Sequence, residues 1–147
     1  MTVYQHILLA VDFSSQDSQV AQKARNLSLQ TGARLSLIHV LDNIPMPDTP
    51  YGTVIPLDTK IPYPMLETER QKLNEIADEF AINPDRRWLI WGEPRQEITH
   101  IAEQEKIDLI VVGSRGRHGL ALLLGSTANR ILHHAKCDVL AVHLQDD

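Results

Sequence analysis

The chain has 147 residues, about the size of one folding unit, and its hydrophobic (43 %) and charged (22 %) fractions are those of a globular protein, not a disordered one. A net charge of −5 excludes a generally basic nucleic-acid binder, and seven aromatic residues leave little material for stacking bases. One cysteine, Cys137, excludes a disulfide framework and a cysteine-rich zinc module. No basic segment followed by an apolar core opens the chain, and no apolar run approaches the ~20 residues that span a bilayer. The expectation is a cytoplasmic, single-domain protein over 1–147, with no nucleic-acid partner and no membrane insertion.

Ile7-Leu8-Leu9-Ala10-Val11 is an unbroken apolar run, the pattern of a strand buried on both faces. It stops at Asp12. Ser14, with Asp17 three residues on, reads as a helix N-cap with an acidic first turn. Val20, Ala21, Ala24, Leu27 and Leu29 supply the apolar stripe of that helix, and Gly32 is its stop. A second buried strand follows over Leu35–Leu41.

From Asp42 to Pro64 the pattern breaks, with six of the eight prolines and Gly52 in one stretch. Proline removes backbone donors and disfavours helix at the residue before it, so an irregular excursion is predicted over about 42–64. Its length exceeds an ordinary connection, and such segments are usually functional or mobile.

Helical spacing returns with Met65, Leu66, Leu73, Ile76, Ala77 and Phe80, and stops by Pro84. Trp88–Trp91 is the third strand, closed by Gly92. Pro94 suits the first turn of a helix carrying Ile98, Ile101 and Ala102. Ile107–Val112 is the fourth strand, a helix starts at Ser126, and Val139–Val142 is the last strand. Strands alternating with amphipathic helices predict an α/β fold: one open, five-stranded parallel sheet with helices on both faces, Rossmann-like in architecture. Ligands of such sheets bind beyond the carboxyl ends of the strands, where the strand order reverses. That rule points to Val11-Asp12, Val40-Leu41 and Gly113 onward.

The segment from Gly113 to Thr127 carries the most chemistry, with four glycines between a buried strand and a helix start. Successive amides in such a loop form an anion-binding nest, and a helix N-terminus adds free N–H groups and partial positive charge. Ser126 and Thr127 bring hydroxyl donors, and Arg115 and Arg117 bring formal charge. Phosphate is the natural ligand; the plainer alternative is a tight turn followed by a helix cap. No lysine precedes Ser126-Thr127, so this is not a Walker loop, and it follows the fourth strand, so it is not the dinucleotide fingerprint.

These residues carry a resemblance. His6–Ser14 matches the first strand and turn of the universal stress protein family, His39-Val40 matches the end of its second strand, and Asp108–Val142 matches its C-terminal signature. The resemblance implies the adenine nucleotide alpha hydrolase-like form of the fold. It also implies ATP binding, with Mg²⁺ bridging the phosphates. Carried over by resemblance, Val11, Asp12 and Val40 line the adenine and ribose end. Gly113, Arg115, Gly116, Arg117 and His118 border the ribose and phosphates, and Gly125, Ser126 and Thr127 hold the terminal phosphates. The ATP-binding branch separates Gly-x-x-Gly from Gly-Ser by nine residues; here residues 117–124 make eight. By itself Asp12 is equally a capping carboxylate, and Val40 equally core.

No protein metal site is expected: His133 and His134 point ~100° apart on a helix, and Cys137 lacks a partner cysteine. ATP hydrolysis needs a positioned water and a base. The only candidate base, Asp12, belongs to the other end of the nucleotide, so at most slow turnover is expected and no dedicated enzyme. Trp88 and Trp91 read as core or interface anchors. The family resemblance implies a homodimer through the last strand, about Val139–Leu144, whose apolar edge invites pairing. The reading is an ATP-binding stress-response regulator that acts on a protein partner, with the 42–64 excursion as its changing part. Its rivals are a nucleotide-free interaction dimer and, last, an adenylating enzyme.

Overall fold

The computed structural model describes residues 4–14, 16–42, 49–113 and 137–143. Within them the chain runs β1 (His6–Ala10), α1 (Asp17–Thr31), β2 (Arg34–Leu41), β3 (Thr53–Val54), α2 (Pro64–Glu79), β4 (Arg87–Trp91), α3 (Pro94–Gln104), β5 (Leu109–Gly113) and β6 (Asp138–Val142), with a 3₁₀ turn at Pro84–Arg86 before β4. The sheet order is β3-β4-β2-β1-β5-β6, and every pairing is parallel except β3 with β4. The α/β architecture with a mostly parallel sheet is as expected. The strand count is six among the described residues, against the five read from sequence.

The extra strand comes from the excursion. Thr53 pairs with Trp91 and Val54 with Ile90, two residues too few to leave a hydrophobic signature. Tertiary contact supplies what local pattern lacks: Gly52 N–H donates to Trp91 O at 2.7 Å, Ile55 N–H to Leu89 O at 2.8 Å, and the Trp91 indole N–H to Thr49 O at 3.0 Å. Trp91 is therefore an anchor, as expected, and what it anchors is the start of the excursion.

Hydrophobic residues divide by strand alternation into two cores. Ile7, Leu9, Leu37, Leu89 and Val111 pack with Val20, Ala21 and Ala24 of α1 and Leu66, Leu73 and Ala77 of α2. Leu8, Ala10, Ile38, Ile90 and Ile110 pack on the other face with Ile98, Ile101 and Ala102 of α3. Helices thus cover both faces, which is why the central strands read as continuous apolar runs. No described helix is long and apolar enough to cross a membrane.

Two glycines act as expected. Gly32 ends α1 at φ 75, its N–H donating to Ser28 O at 2.9 Å. Gly92 admits the Glu97 side chain, whose Cγ would lie 2.6 Å from any Cβ placed there. The N-terminus of α1 differs from the sequence reading. The helix begins at Asp17, Gln16 caps it without a side-chain bond, and the Ser14 carbonyl accepts the Asp17 N–H at 3.3 Å. The helix expected from Ser126 lies outside the described residues.

The far end of the excursion is held by Glu67. Its carboxylate accepts from Ile61 N–H at 2.8 Å, Arg70 Nε at 2.7 Å, Arg70 Nη2 at 2.6 Å and Gln71 Nε2 at 2.9 Å. Arg70 and Asn74 both donate to Leu57 O. These donors, Arg70 first, pull the Glu67 pKa down to about 2. The clamp is therefore complete above the ordinary carboxylate value of 4.5 and is lost as pH falls toward about 2. Glu67→Ala is expected to speed hydrogen exchange of the Ile61 amide by roughly tenfold or more while leaving Leu9 unchanged, since only the local opening is eased.

Candidate functional site

The chain leaves β1 toward β2 on one side and, after β4, returns to β5 on the other side of β1. Strand order therefore reverses between β1 and β5, and the carboxyl ends of those two strands form the crevice where this architecture binds ligands. The register pairs Ile7 with Leu109 and Leu9 with Val111, so two further steps set Val11 level with Gly113. On the other side Ala10 pairs with Ile38, and the same extension sets Asp12 level with Val40. Four of the residues named from sequence, Val11, Asp12, Val40 and Gly113, thus converge at one end of three adjacent strands. Arg115, Gly116, Arg117, His118, Gly125, Ser126 and Thr127 lie outside the described residues.

Val11 and Val40 are each 1 % exposed, so their side chains belong to the core. Val11 N–H continues the ladder to Ile38 O at 3.0 Å. Asp12 then turns the chain: its Oδ1 accepts the Ser14 N–H at 3.0 Å, a local turn bond and not a cap on α1. Between them Phe13 adopts φ 62, a left-handed conformation that an aromatic residue enters only when its surroundings compensate.

The compensation comes from His39, on the β2 face shared with Leu37 and Leu41. Its ring stacks on Phe13 with centroids 3.9 Å apart and planes 27° from parallel. Its Nδ1 lies 2.8 Å from Val11 O; a carbonyl only accepts, so Nδ1 carries the proton. The Lys72 ammonium from α2 sits 5.7 Å above the Phe13 ring. The turn is thus gripped from β2 and α2 as well as by its own chain.

Asp17 grips it from α1. This residue is only 9 % exposed, and its Oδ1 lies 3.4 Å from the Asp12 N–H that donates to it. Its other oxygen is buried and has no hydrogen-bond partner among the described residues. Burial first, then the neighbouring Asp12 carboxylate, push the Asp17 pKa up to about 7. Sequence reading treated Asp17 as a first-turn acid and His39 as a strand end, and missed both as supports of the turn. One signal was available: a histidine inside an otherwise apolar, fully buried strand demands polar partners.

Other polar features lie elsewhere. His6, at the opposite end of β1, bonds Ser36 Oγ at 2.6 Å and Glu105 O at 3.1 Å, a satisfied core histidine whose pKa is lowered chiefly by burial. A cleft of about 320 Å³ lies toward the β3 edge, between β4 and α3, with Tyr51, Trp88, Glu97 and His100 among its walls. Among the described residues no three His, Cys, Asp or Glu side chains converge as a metal site.

The universal stress protein family model matches residues 3–143. Universal stress protein A homolog 2 of Coxiella burnetii is 38 % identical over 146 residues, covering 99 % of both chains. Universal stress protein A homolog 1 of the same organism is 36 % identical, covering 97 % of this chain and 99 % of its own. Among solved structures, universal stress protein UspA from Lactobacillus plantarum is 28 % identical, with a TM-score of 0.56 over 97 % of this chain and 98 % of that one. A universal stress protein in complex with cAMP is 22 % identical and shares the fold, with a TM-score of 0.63 over 95 % of this chain and 97 % of that one. A family match along nearly the whole chain, joined to full-length relatives of this similarity and to the fold itself, establishes that the chain belongs to the universal stress protein family.

Proposed function

We propose that this protein binds ATP in the crevice at the carboxyl ends of β1 and β5 and acts as a nucleotide-dependent interaction module. The observation that carries the reading is the convergence of Val11, Asp12, Val40 and Gly113 at the point where strand order reverses. The buried Val11 and Val40 and the Phe13–His39 stack make a firm, largely apolar base for a purine, and the Asp12 carboxylate is an acceptor of the kind a ribose hydroxyl needs. The glycines that open and close the following loop supply amides for phosphate: Gly113 and Gly116, then Gly125 with Ser126 and Thr127. A related fold carries cAMP, which supports an adenine nucleotide as the ligand class. Mg²⁺ would ride on the phosphates, neutralising their charge, because the described residues offer no carboxylate cluster to hold it. The protein regulates partners in the cytoplasm and is at most a slow ATPase.

A homodimer through β6 belongs to the same reading. β6 lies at the edge of the sheet among the described residues, and Val139, Leu140, Ala141 and Val142 are only half-buried there. The second reading is a nucleotide-free dimer, and the eight-residue gap before Gly125 is the feature that favours it.

A thermal melt with and without Mg-ATP separates the two. At a ligand concentration one hundred times Kd, linkage adds about 2.7 kcal/mol. For a chain this size the midpoint is expected to rise by roughly 5–10 °C. The rise should be specific to adenine nucleotides and disappear in Gly116→Leu. No shift, with no nucleotide released on denaturing the purified protein, would replace the ATP reading with the nucleotide-free dimer.

A further inference from the structure

The cleft between β4 and α3 plays no part in the ATP reading, and the local geometry of three elements builds its walls. Glu97, Ile101 and Gln104 follow one another at helical spacing, so they share one face of α3. Trp88 and Ile90 alternate along β4 and stand on the side of the sheet that α3 covers. Val54 pairs with Ile90 across the β3–β4 ladder. β3, the edge strand here among the described residues, is two residues long and does not fill the space beside α3. A cleft of about 320 Å³ remains, at the small end of the range that ligand pockets occupy.

Its chemistry is one-sided. Tyr51 is 64 % exposed, yet its ring is held edge-on against Trp91 with centroids 5.6 Å apart. The Trp88 indole N–H is buried and has no hydrogen-bond partner among the described residues, so what the indole can show the cleft is carbon. The carboxylate in the lining is that of Glu97, and two glycines make room for it. Its Oε1 lies 3.7 Å from where a Cβ on Gly52 would stand, and its Cγ 2.6 Å from one on Gly92. Among the described residues no Lys or Arg pairs with Glu97 or lines the cleft. Burial, first, raises the Glu97 pKa above 4.5, against the His100 charge that lowers it.

We propose that this cleft is a ligand site for a small organic cation, with an ammonium group seated against the Glu97 carboxylate and a flat apolar body packed against the aromatic and aliphatic walls. Three attractions select that class. The ammonium pairs with a carboxylate that has no other cation beside it. Aromatic rings attract a cation that comes over their faces. The apolar walls take the body out of water. The same carboxylate repels an anion of equal shape. This site does not rest on the ATP reading: the crevice lies at the carboxyl ends of β1 and β5, and β2 separates β1 from β4. Tyr51, Gly52 and Val54 belong to the 42–64 excursion, so an occupant bridges that segment to α3.

The test is a proton–nitrogen NMR titration of the full chain with 2-phenylethylamine. Two controls run beside it: 3-phenylpropionate has the same body with the opposite charge, and methylamine has the charge without the body. The chain has two tryptophans, so Trp88→Phe assigns the indole resonances. 2-Phenylethylamine is expected to move the Trp88 indole and the Gly52 and Glu97 amides together, with Kd on the order of 1 mM for a probe of this size. Val11 and Gly113 should stay where they are. Glu97→Gln keeps the shape and is expected to raise Kd by roughly tenfold. Equal binding of 3-phenylpropionate, or an unchanged Kd in Glu97→Gln, would overturn the cation. Methylamine moving the same resonances as far would reduce the effect to surface charge and overturn the site. So would a cleft unmoved by 2-phenylethylamine at about ten times the expected Kd, or shifts centred on Val11 and Gly113. If Glu97→Gln does not fold, the three probes on the native protein still decide.

Discussion

Asp17→Asn is expected to stabilise the protein by about 2–4 kcal/mol at pH 8 and to have little effect near pH 4. The sign follows from the direction of the shift. Asp17 has its pKa raised in the folded state from 3.8 to about 7, so the folded protein keeps a proton that the unfolded chain releases across that interval. Stability therefore falls as pH rises from about 4 to 7, and the full cost of burying the charge is present above 7. Asparagine has the same shape and can still accept the Asp12 N–H, but it carries no charge to bury. Urea midpoints at pH 4, 6 and 8 read the effect directly, provided the slope m stays constant. A native protein whose stability does not fall over that range relative to the variant would mean that Asp17 is ionised without penalty.

His39→Ala is expected to do the opposite, lowering stability by about 3–5 kcal/mol. Three losses combine. The imidazole is 5 % exposed and leaves a cavity in a close-packed region. Val11 O loses the donor 2.8 Å away in a place water does not reach easily. Phe13 loses its stacking partner while remaining in a left-handed conformation. The same urea series measures the fall in midpoint. Because the turn from Val11 to Ser14 loses its grip, the thermal shift with Mg-ATP is expected to shrink as well. A variant with native stability and an unchanged shift would show that the Phe13–His39 stack supports neither the fold nor the site.

The two substitutions bear on one another. His39 lies on β2 and Asp17 on α1, and they meet only through the turn after β1. Histidine supplies a ring stack on Phe13 and a hydrogen bond to Val11 O, whereas aspartate supplies an acceptor for the Asp12 N–H. Their effects are expected to be non-additive, because both act on the same four residues.

Periodicity in the chain determined much of this. The apolar runs at Ile7–Val11, Leu35–Leu41 and Trp88–Trp91 could satisfy their backbones and bury both faces only as central strands of a parallel sheet. The stripes of Val20-Ala21-Ala24 and Ile98-Ile101-Ala102 could be buried only on opposite faces of it. From that alternation the strand ends at Val11-Asp12, Val40-Leu41 and Gly113 could be named in advance, and the strand order brings them to one end of adjacent strands. Local pattern was silent where the determining contact is distant in sequence. Thr53 and Val54 are a strand only because Trp91 and Ile90 present an open edge. Ser14 is a plausible cap, yet α1 begins at Asp17 because Asp12 turns the chain first. Asp17 reads as a favourable first-turn acid in any helix; only the fold brings it under Asp12 and away from water. Hydrophobic spacing is a one-dimensional quantity and survives in the sequence, whereas desolvation and the closeness of two charges exist only once the chain has packed.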